Sequence, residues 1–340
     1  MLDGAHILCT GGTGSFGRKF IQTVLHDYKP ARLIIFSRDE CKQHEMRGCF
    51  PDGPGSPVRY FLGDVRDTSR LRRALHDVDI VVHAAALKVV PSCEYNPREA
   101  VQTNIGGAMN VVEAALDCGV QRVLALSTDK AVSPTNIYGA TKLVMEKLMV
   151  QANAYRGQGG TRFACTRYGN VADSRGSVIP LFREQRKAGR ITITDDRMNR
   201  FLITLPQAVG FVLACLERMV GGEIFVPRMP SVQIGDLADA IAPGCERAYI
   251  GIRPGEKLSE ALVSADEAHR TVDLGDHYVI LPSHSFWPDG HYADAPRVPD
   301  GWSYTSANNT EWLTVEELRG MVEGKEDTVP HSTSVHGIAM

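Results

Sequence analysis

The 340-residue sequence lacks the features that mark membrane, secreted and nucleic-acid-binding proteins. It contains no run of about 18 consecutive apolar residues, the length at which a transmembrane helix is suspected. Residues 1–4 show neither the basic segment nor the apolar core of a secretory signal. Lys and Arg total 37 against 40 Asp and Glu, so no excess positive charge is available to hold a nucleic acid backbone. We therefore expect a cytoplasmic protein that binds neither a membrane nor a nucleic acid.

Closely paired cysteines are also missing. The 8 cysteines lie far apart, and no two of them form the C-x-x-C spacing of zinc sites and redox motifs. In a reducing cytosol such residues are usually buried free thiols. The sequence therefore predicts free thiols and no metal site.

The sequence does contain a regular alternation of short apolar segments and helix-length segments. Hydrophobic residues make up 43% of the chain and charged residues 23%, which suits a folded globular protein. The predicted strands are residues 6–10, 32–37, 58–62, 80–84, 122–127 and 162–168, and the longer predicted helices are 16–25, 97–117 and 138–155. This alternation is typical of an α/β fold with a Rossmann-type doubly wound parallel sheet.

The alternation stops near Tyr168. Beyond it lie a helical stretch at 205–219 and a passage at 276–299 rich in His, Pro, Asp and aromatic residues. We expect residues 1–168 to form the Rossmann domain, with about 201–226 returning to it. Residues 169–324 should form mainly a smaller C-terminal substrate-binding lobe. The polar stretch 325–340 is predicted to be a flexible tail.

A glycine-rich turn joins the first predicted strand to the first helix. Its glycines follow a G-x-x-G-x-x-G spacing, a weak signal alone but a strong one between a strand and a helix that open a series of βα units. Without side chains, the backbone can turn tightly and approach a pyrophosphate, which the helix N-terminus favours. The residues expected to bind a dinucleotide here are Gly11, Thr13, Gly14, Ser15, Phe16 and Gly17.

The end of the second strand indicates which dinucleotide is bound. Folds that prefer NAD place Asp or Glu there for the ribose 2′-hydroxyl, whereas this chain has Ser37 and then Arg38, with Lys42 one helical turn further on. A hydroxyl and two cations suit a 2′-phosphate, so we predict NADP. In the alternative interpretation, Arg38 is an exposed side chain paired with Asp39 or Glu40.

Two further strand ends are expected to contact the cofactor. Asp64 and Val65 follow the third strand and should lie beside the adenine. Ala84, Ala85 and Ala86 follow the fourth, where small side chains leave room for the cofactor to cross the sheet edge.

A tyrosine and a lysine are predicted to share one helix face. Tyr138 and Lys142 form a Y-x-x-x-K pair, one turn apart on the predicted helix. The Lys142 ammonium would lower the pKa of the phenol, so that Tyr138 can exchange a proton with a substrate hydroxyl during hydride transfer. The motif is common in helices. Thr128, at the end of the fifth strand, supplies a hydroxyl that can complete a proton relay.

Asp129 and Lys130 follow Thr128 directly. They add an acid and a base that a simple alcohol oxidation does not require. Once a neighbouring alcohol is a ketone, Lys130 could remove the acidified proton while Asp129 protonates a departing hydroxyl. Both groups would need shifted pKa values, or would share one proton. The alternative interpretation is a surface ion pair.

Several motifs together resemble one family, the extended short-chain dehydrogenase/reductases that are inverting UDP-N-acetylglucosamine 4,6-dehydratases. The resemblance extends to about Val322, and the Asp-Lys pair is its most specific element, since dehydratases that retain configuration generally carry Asp-Glu there. Tyr138 and the lack of spanning helices place the chain with the soluble members. The motifs are GGTGSFG at 11–17, FSRDE at 36–40, AAALK at 84–88, STDKAV at 127–132, YGATK at 138–142, RYGNV at 167–171, SRGSV at 174–178, RPGEK at 253–257 and NNTEWL at 308–313.

The resemblance implies a reaction and a set of site residues. Tyr138 would accept the C4 hydroxyl proton as hydride passes to NADP, Lys130 would take the C5 proton, Asp129 would assist loss of water from C6, and the hydride would return to C6. The product would be UDP-2-acetamido-2,6-dideoxy-β-L-arabino-hexos-4-ulose. Related enzymes form dimers or hexamers, which implies a homo-oligomer. Tyr138, Lys142 and Lys88 are also expected at the cofactor, and the implied substrate residues are Lys88, Asn170, Ser177, Val178, Arg200, Arg253 and Glu256.

The chain departs from the family pattern at two places, and two other functions remain open. Ala172 and Asp173 replace a Leu-Gly pair, adding a carboxylate near the presumed sugar nucleotide, and Asp196 replaces a proline. These changes leave the accepted sugar open. The first alternative function is a UDP-sugar C4 or C5 epimerase, which needs nearly the same residues. The second is a non-catalytic NADP-sensing regulator, which the full catalytic set disfavours.

Overall fold

The computed structural model describes residues 1–157, 160–174, 176–283 and 291–323. The predicted tail at 325–340 lies outside these ranges, as do Arg175 and part of the 276–299 passage. Among the described residues, none of the helices combines the length and the apolar character needed to cross a bilayer.

The strands of the described residues run in chain order through both halves of the protein. They are β1 (His6–Thr10), β2 (Arg32–Ser37), β3 (Val58–Leu62), β4 (Ile80–His83), β5 (Arg122–Leu126), β6 (Arg162–Thr166), β7 (Asn170–Val171), β8 (Arg190–Ile193), β9 (Asn199–Ile203), β10 (Ile224–Pro227), β11 (Ser231–Gln233), β12 (Glu246–Tyr249), β13 (Ala261–Val263), β14 (Thr271–Asp273), β15 (His277–Ile280) and β16 (Tyr304–Thr305).

The helices alternate with these strands. They are α1 (Ser15–Asp27), α2 (Glu40–Cys49), α3 (Thr68–Ala74), α4 (Val90–Tyr95), α5 (Pro97–Ala100), α6 (Gly107–Cys118), α7 (Ile137–Ala152), α8 (Val178–Arg186), α9 (Leu205–Arg218), α10 (Ile234–Ile241) and α11 (Val315–Glu323). A π-helical segment, Val101–Gly106, joins α5 to α6, so the helix predicted at 97–117 contains one wide turn.

A large, mainly parallel sheet confirms the predicted fold class. Its order in the described chain is β14-β15-β10-β6-β5-β4-β1-β2-β3. The strands from β10 to β3 pair in parallel with their neighbours. Residues 33–36 of β2 are fully buried, as expected for a strand covered on both faces. Two short strands, β14 and β15, extend the sheet in antiparallel orientation from a region where no strand was predicted.

A second hydrophobic core lies beyond the main sheet. It contains Ile179 and Phe182 of α8, Ile191 of β8 and Leu237 of α10, all buried. The small sheets β11-β9-β7 and β12-β8 belong to the same part of the chain. The regular alternation therefore ends where the second core begins. In open α/β sheets, ligands bind beyond the carboxyl ends of the parallel strands, and these ends position the site.

Candidate active site

Two positions in the turn after β1 accept only glycine. Gly11 has φ of +65°, and a Cβ atom there would lie 2.9 Å from the backbone of Ala85. A Cβ on Gly17 would lie 2.4 Å from the carbonyl oxygen of Gly12. The backbone of Gly14, with no side-chain cap, starts α1. These close backbone approaches keep the turn tight, and the N-terminus of α1 that follows it suits the negative charge of a dinucleotide diphosphate.

The end of β4 is attached to this turn through Thr10. The hydroxyl of Thr10 accepts hydrogen bonds from the amides of Ala84 and Ala85, at 3.1 and 3.2 Å, and lies 2.8 Å from Nδ1 of His83. Burial, with a smaller effect of Lys142, lowers the pKa of His83 to about 3, so the imidazole is neutral. The predicted segment 84–86 is therefore held beside the glycine turn.

The ends of β2 and β3 bring Arg38 and Asp64 together. Nη1 of Arg38 lies 3.7 Å from Oδ2 of Asp64, and the Arg38 side chain is 54% exposed. Burial alone would raise the pKa of Asp64, but hydrogen bonds and charge from Arg66 lower it overall. Lys42 Nζ lies 2.5 Å from Asp39 Oδ2, so Lys42 and Asp39 form an ion pair. Two predicted cofactor residues, Arg38 and Asp64, therefore lie side by side. Asp64 is not one of the partners named in the alternative interpretation.

Ser37 and Val65 are held by hydrogen bonds behind this surface. The Gln43 side chain donates to the carbonyl oxygen of Ser37 at 3.1 Å and to its hydroxyl at 3.3 Å. The Asn110 amide donates to the carbonyl oxygen of Val65 at 3.0 Å. Neither contact was foreseen.

The Asp129 and Lys130 side chains form an ion pair inside the protein. Oδ1 of Asp129 accepts hydrogen bonds from the Thr128 hydroxyl at 2.9 Å and from Lys130 Nζ at 3.0 Å. The Asp129 side chain is 0% exposed and that of Lys130 22%. This burial contradicts the alternative interpretation of a surface pair.

Two other groups surround the Lys130 ammonium. Nζ donates to Oδ1 of Asn170 at 3.3 Å and lies 3.6 Å from Oε1 of Glu260. Burial would lower the pKa of Lys130, but the Asp129 and Glu260 carboxylates raise it to about 12. Lys130 is therefore an ammonium in this arrangement. It can become a base by passing its proton along the hydrogen bond to Asp129.

Tyr138 is the second residue of the catalytic helix α7, which is capped by Asn136. The Asn136 side-chain oxygen accepts the amide hydrogen of Gly139 at 2.8 Å. Burial raises the pKa of Tyr138 to about 12, while the Lys130 ammonium and a hydrogen bond with Thr128 partly oppose this rise. The Lys130 ammonium thus lowers the phenol pKa, and the effect expected of Lys142 stays a prediction.

Lys142 lies one turn further along α7 and is 4% exposed. Burial lowers its pKa to about 8, against opposing effects of Cys165 and Glu146. Tyr138 and Lys142 therefore share a helix face, as the spacing predicted, but different neighbouring groups shift their pKa values.

Asn104 is a site residue that the sequence analysis missed. It lies in the π-helical segment, where its Oδ1 accepts from the Leu87 amide at 2.8 Å and its Nδ2 donates to the Leu87 carbonyl at 2.9 Å. Nδ2 also donates to the Thr141 hydroxyl at 3.0 Å, which in turn donates to the Tyr138 carbonyl at 2.7 Å. Asn104 thus connects the segment before Lys88 to the catalytic helix. An asparagine within an apolar helical pattern was the available signal.

The predicted substrate residue Arg200 is engaged by the backbone. Its guanidinium donates to the carbonyls of Asn199, Leu258 and Lys257 at 2.6, 3.0 and 2.9 Å. It is 9% exposed. This placement favours a role in holding the 257–258 segment over contact with a diphosphate.

Arg253 and Glu256, also predicted to bind substrate, pair with each other at 2.8 Å. Their loop lies against the segment that precedes α7. The carbonyl oxygen of Gly255 accepts hydrogen bonds from Thr135 at 3.2 Å and from Asn136 at 2.8 Å. The loop thereby comes next to the catalytic strand end.

The remaining substrate candidates are Lys88, Ser177 and Val178. Lys88 is exposed, but the protein around its stem and the charge of Lys130 lower its pKa. Ser177 precedes Val178, the first residue of α8, and its buried hydroxyl has no hydrogen-bond partner among the described residues. A buried hydroxyl without a partner is suited to contact a ligand.

The carboxylates added at the two departures from the family pattern bind partners within the second lobe. Asp173, with φ of +61°, accepts hydrogen bonds from Arg183 at 2.8 and 2.9 Å. Asp196 accepts the Tyr249 hydroxyl at 2.6 Å. Ala172 is buried. Both added carboxylates therefore have partners in this lobe.

The chain belongs to the polysaccharide biosynthesis protein family, whose model matches residues 7–282. A UDP-N-acetylglucosamine 4,6-dehydratase (inverting) of Campylobacter jejuni subsp. jejuni serotype O:23/36 (strain 81-176) is 48% identical over 335 residues, which are 96% of this chain and 99% of that protein. A UDP-glucose 4-epimerase of Rickettsia canadensis (strain McKiel) is 45% identical over 332 residues, covering 93% and 94% of the two chains. The X-ray structure of Pen from Bacillus thuringiensis matches with a TM-score of 0.86 and 37% identity, covering 95% and 98%. The predicted family resemblance is thus confirmed.

Proposed function

We propose that this protein is an NADP-dependent, C5-inverting UDP-N-acetylglucosamine 4,6-dehydratase. The observation that carries the proposal is the buried hydrogen bond between Asp129 and Lys130, 3.0 Å long, beside Thr128. An acid and a base in contact are what elimination of water from adjacent carbons requires. The similarity to the inverting dehydratase of Campylobacter jejuni, over nearly the whole of both chains, supports the same reaction.

The cofactor would bind along the carboxyl ends of β1, β2 and β4. Bound there, a nicotinamide dinucleotide supplies a group that accepts a hydride and later returns it. The glycine turn would hold the diphosphate, and Lys142 would hold the nicotinamide half. Ser37 and the half-exposed Arg38 support NADP, because a 2′-phosphate could take up the charge that Arg38 now shares weakly with Asp64 at 3.7 Å.

The protein's own groups would move the protons. Tyr138, oriented by a hydrogen bond with Thr128, takes the proton of the C4 hydroxyl and keeps it during water loss, so that the Asp129 carboxylate stays free to accept the Lys130 proton. Lys130 first passes its proton to Asp129, then takes the C5 proton of the 4-ketone. The electron pair forms the C5–C6 double bond as the C6 hydroxyl leaves with the Asp129 proton as water. Protonation of C5 from the opposite face gives inversion.

The sugar nucleotide would lie between the strand ends and the second lobe. Asn170, which accepts a hydrogen bond from Lys130, would contact the sugar. Lys88 and Arg253 are the exposed cations available to the diphosphate, with Ser177 at the start of α8.

We also infer a cytoplasmic homo-oligomer. Apolar side chains that remain exposed on the helices flanking the sheet support self-association there. These are Val101 before α6, Met109 on α6 and Val144 on α7, with exposures of 41%, 49% and 39%.

Incubation with UDP-N-acetylglucosamine tests the proposal. The expected product has lost one water and carries a 4-ketone, as read by mass spectrometry and NMR. An isomer of unchanged mass would instead indicate an epimerase, the activity for which the Rickettsia relative is named. No turnover of any UDP-hexose would indicate a regulator.

A further inference from the structure

A second buried carboxylate faces Lys130. Glu260 lies just before β13 and is 3% exposed. Its Oε1 lies 3.6 Å from Lys130 Nζ, and its Oε2 lies 3.6 Å from Lys257 Nζ. Oε2 accepts no hydrogen bond from any described residue. No motif singled out from the sequence included Glu260.

The backbone around Glu260 is fixed without the carboxylate. The Glu260 amide donates to the Ser306 hydroxyl at 2.9 Å, and the Ser306 amide donates to the Glu260 carbonyl at 2.8 Å. Lys257 donates to the carbonyl of Val132 at 2.7 Å, and Arg200 donates to the carbonyl of Lys257. Because burying a carboxylate costs free energy, a charge that the local fold does not need calls for another role.

We propose that Glu260 is a positioning residue for the dehydration step, which holds Lys130 against Asp129 and Asn170 and stabilises the ammonium that forms as Lys130 takes the C5 proton. The inference rests on the proposed function and adds to it a residue that acts only through Lys130.

The timing of charge in the reaction explains this role. When Lys130 has passed its proton to Asp129, the lysine is neutral and Glu260 faces an uncharged amine. As the C5–H bond breaks, the proton moves to Lys130, and the C6–O bond breaks with the Asp129 proton leaving in water. The positive charge returns to Lys130 in that transition state, 3.6 Å from Oε1 of Glu260. Measured from the state with a neutral Lys130, this fixed charge favours uptake of the C5 proton. Because Glu260 also faces the resting ammonium, its main contribution is to keep Nζ in position beside Asp129 and Asn170.

C4 oxidation should depend much less on Glu260. That step uses Tyr138, whose phenol has a hydrogen bond with Thr128. Burial raises the pKa of Glu260 and the Lys130 ammonium opposes that rise, so the charge of Glu260 is linked to Lys130. Loss of the Glu260 charge should therefore separate ketone formation from water loss.

The test is rapid quench of Glu260→Gln with UDP-N-acetylglucosamine, followed by mass spectrometry of the sugar nucleotides. We expect water loss to slow by about 10- to 100-fold. A sugar nucleotide that has lost two hydrogens but no water should accumulate. Substrate deuterated at C5 should show a larger isotope effect on water loss than in the parent protein, because C5–H cleavage becomes rate-limiting.

Two further variants distinguish charge from folding. Glu260→Asp keeps the charge but withdraws it from Lys130, so the same intermediate should accumulate to a smaller extent. Glu223→Gln alters another buried carboxylate, which accepts from the amides of Val220 and Gly221, and should leave the sugar distribution unchanged. If Glu260→Gln does not fold, Glu260→Asp decides alone, and a parent-like distribution overturns the proposal.

The outcomes also separate this inference from the proposed function. Equal slowing of ketone formation and water loss in Glu260→Gln, with no accumulated intermediate, would reduce Glu260 to a structural role. If the parent protein itself neither loses water nor exchanges the C5 proton with solvent, the proposed dehydratase function is wrong, and this inference is wrong with it.

Discussion

Arg167 and Glu146 form an ion pair that solvent does not reach. The guanidinium donates to the carboxylate at 2.9 and 2.6 Å, and the two residues are 1% and 0% exposed. The same carboxylate accepts the Ser127 hydroxyl at 2.5 Å, and the same guanidinium also binds Glu267. This cluster attaches the catalytic helix α7 to the ends of β5 and β6.

Arg167→Met should therefore destabilise the protein strongly. It leaves the Glu146 carboxylate buried without its cation, and we expect the free energy of unfolding to fall by about 3–5 kcal/mol. Urea denaturation measures the loss. As a control, Glu184→Gln breaks the exposed pair of Lys187 and Glu184, in which both side chains are 72% exposed. Similar losses in the two variants would contradict the importance of burial.

Lys142→Met should be more stable than the parent at neutral pH. Burial lowers the pKa of Lys142 to about 8, from 10.5 in the unfolded chain. Below pH 8 the folded protein holds a buried ammonium, and its desolvation lowers the free energy of unfolding by the full amount. Between pH 8 and pH 10.5 the unfolded chain binds more protons than the folded protein, so the free energy of unfolding rises with pH. The gain should be on the order of 2 kcal/mol at pH 7 and shrink toward pH 10. Urea denaturation of the variant and the parent at pH 7 and pH 10 measures this gain. An equal gain at the two pH values would contradict the lowered pKa of Lys142.

Tyr138→Phe should abolish ketone formation and spare cofactor binding. The variant removes only the hydroxyl that takes the C4 proton, and the rate should fall by about 100-fold or more. Ketone yield and the cofactor dissociation constant are the measurements. Tyr95→Phe, at a residue 87% exposed, is the matched control. Unchanged turnover in Tyr138→Phe would remove this phenol from the mechanism.

Lys130→Ala should stop exchange of the C5 proton with solvent deuterium. Asp129 and Tyr138 remain, but the variant lacks the amine that contacts the Asp129 carboxylate. Mass spectrometry of the sugar nucleotide after incubation in deuterium oxide detects the exchange. Lys187→Ala, which alters an exposed lysine, should exchange as the parent does. Exchange that persists in Lys130→Ala would assign the base to another residue.

Arg38→Ala should weaken the preference for NADP over NAD. Loss of one guanidinium from a 2′-phosphate contact should reduce the ratio of the two affinities by about tenfold. Calorimetric titration with each cofactor measures the ratio. Arg47→Ala removes another half-exposed arginine, from α2, and should leave the ratio unchanged. Equal affinity of the parent for both cofactors would exclude the phosphate argument.

Much of the Rossmann sheet could be predicted because its strands are continuous apolar runs. The strands at 6–10, 32–37 and 58–62 have the predicted bounds. β14 and β15 were missed because they are short and lie in a polar, aromatic region with no regular period. β15 joins the sheet by antiparallel pairing with β10, and β14 by antiparallel pairing with β15, contacts that no local pattern encodes.

The partners of the charged site residues could be predicted less well. Arg200 appeared available for a diphosphate, yet it holds the carbonyls of the 257–258 segment. Asp173 is expected beside the sugar, and its ion pair with Arg183 on α8 could not be predicted. A side chain several bonds long can reach several partners, and the packing of distant loops selects among them.

The sequence by itself determined the groups whose relation is local. The glycine turn, the Asp129–Lys130 contact and the shared face of Tyr138 and Lys142 follow from backbone spacing within one element or turn. Only the tertiary structure decided which charges surround them. Asn170 reaches Lys130 from 40 positions away, and Glu260 does so from a loop that Arg200 and Ser306 hold in place. Such contacts depend on how separate segments pack, and the proton affinity of Lys130 depends on them in turn.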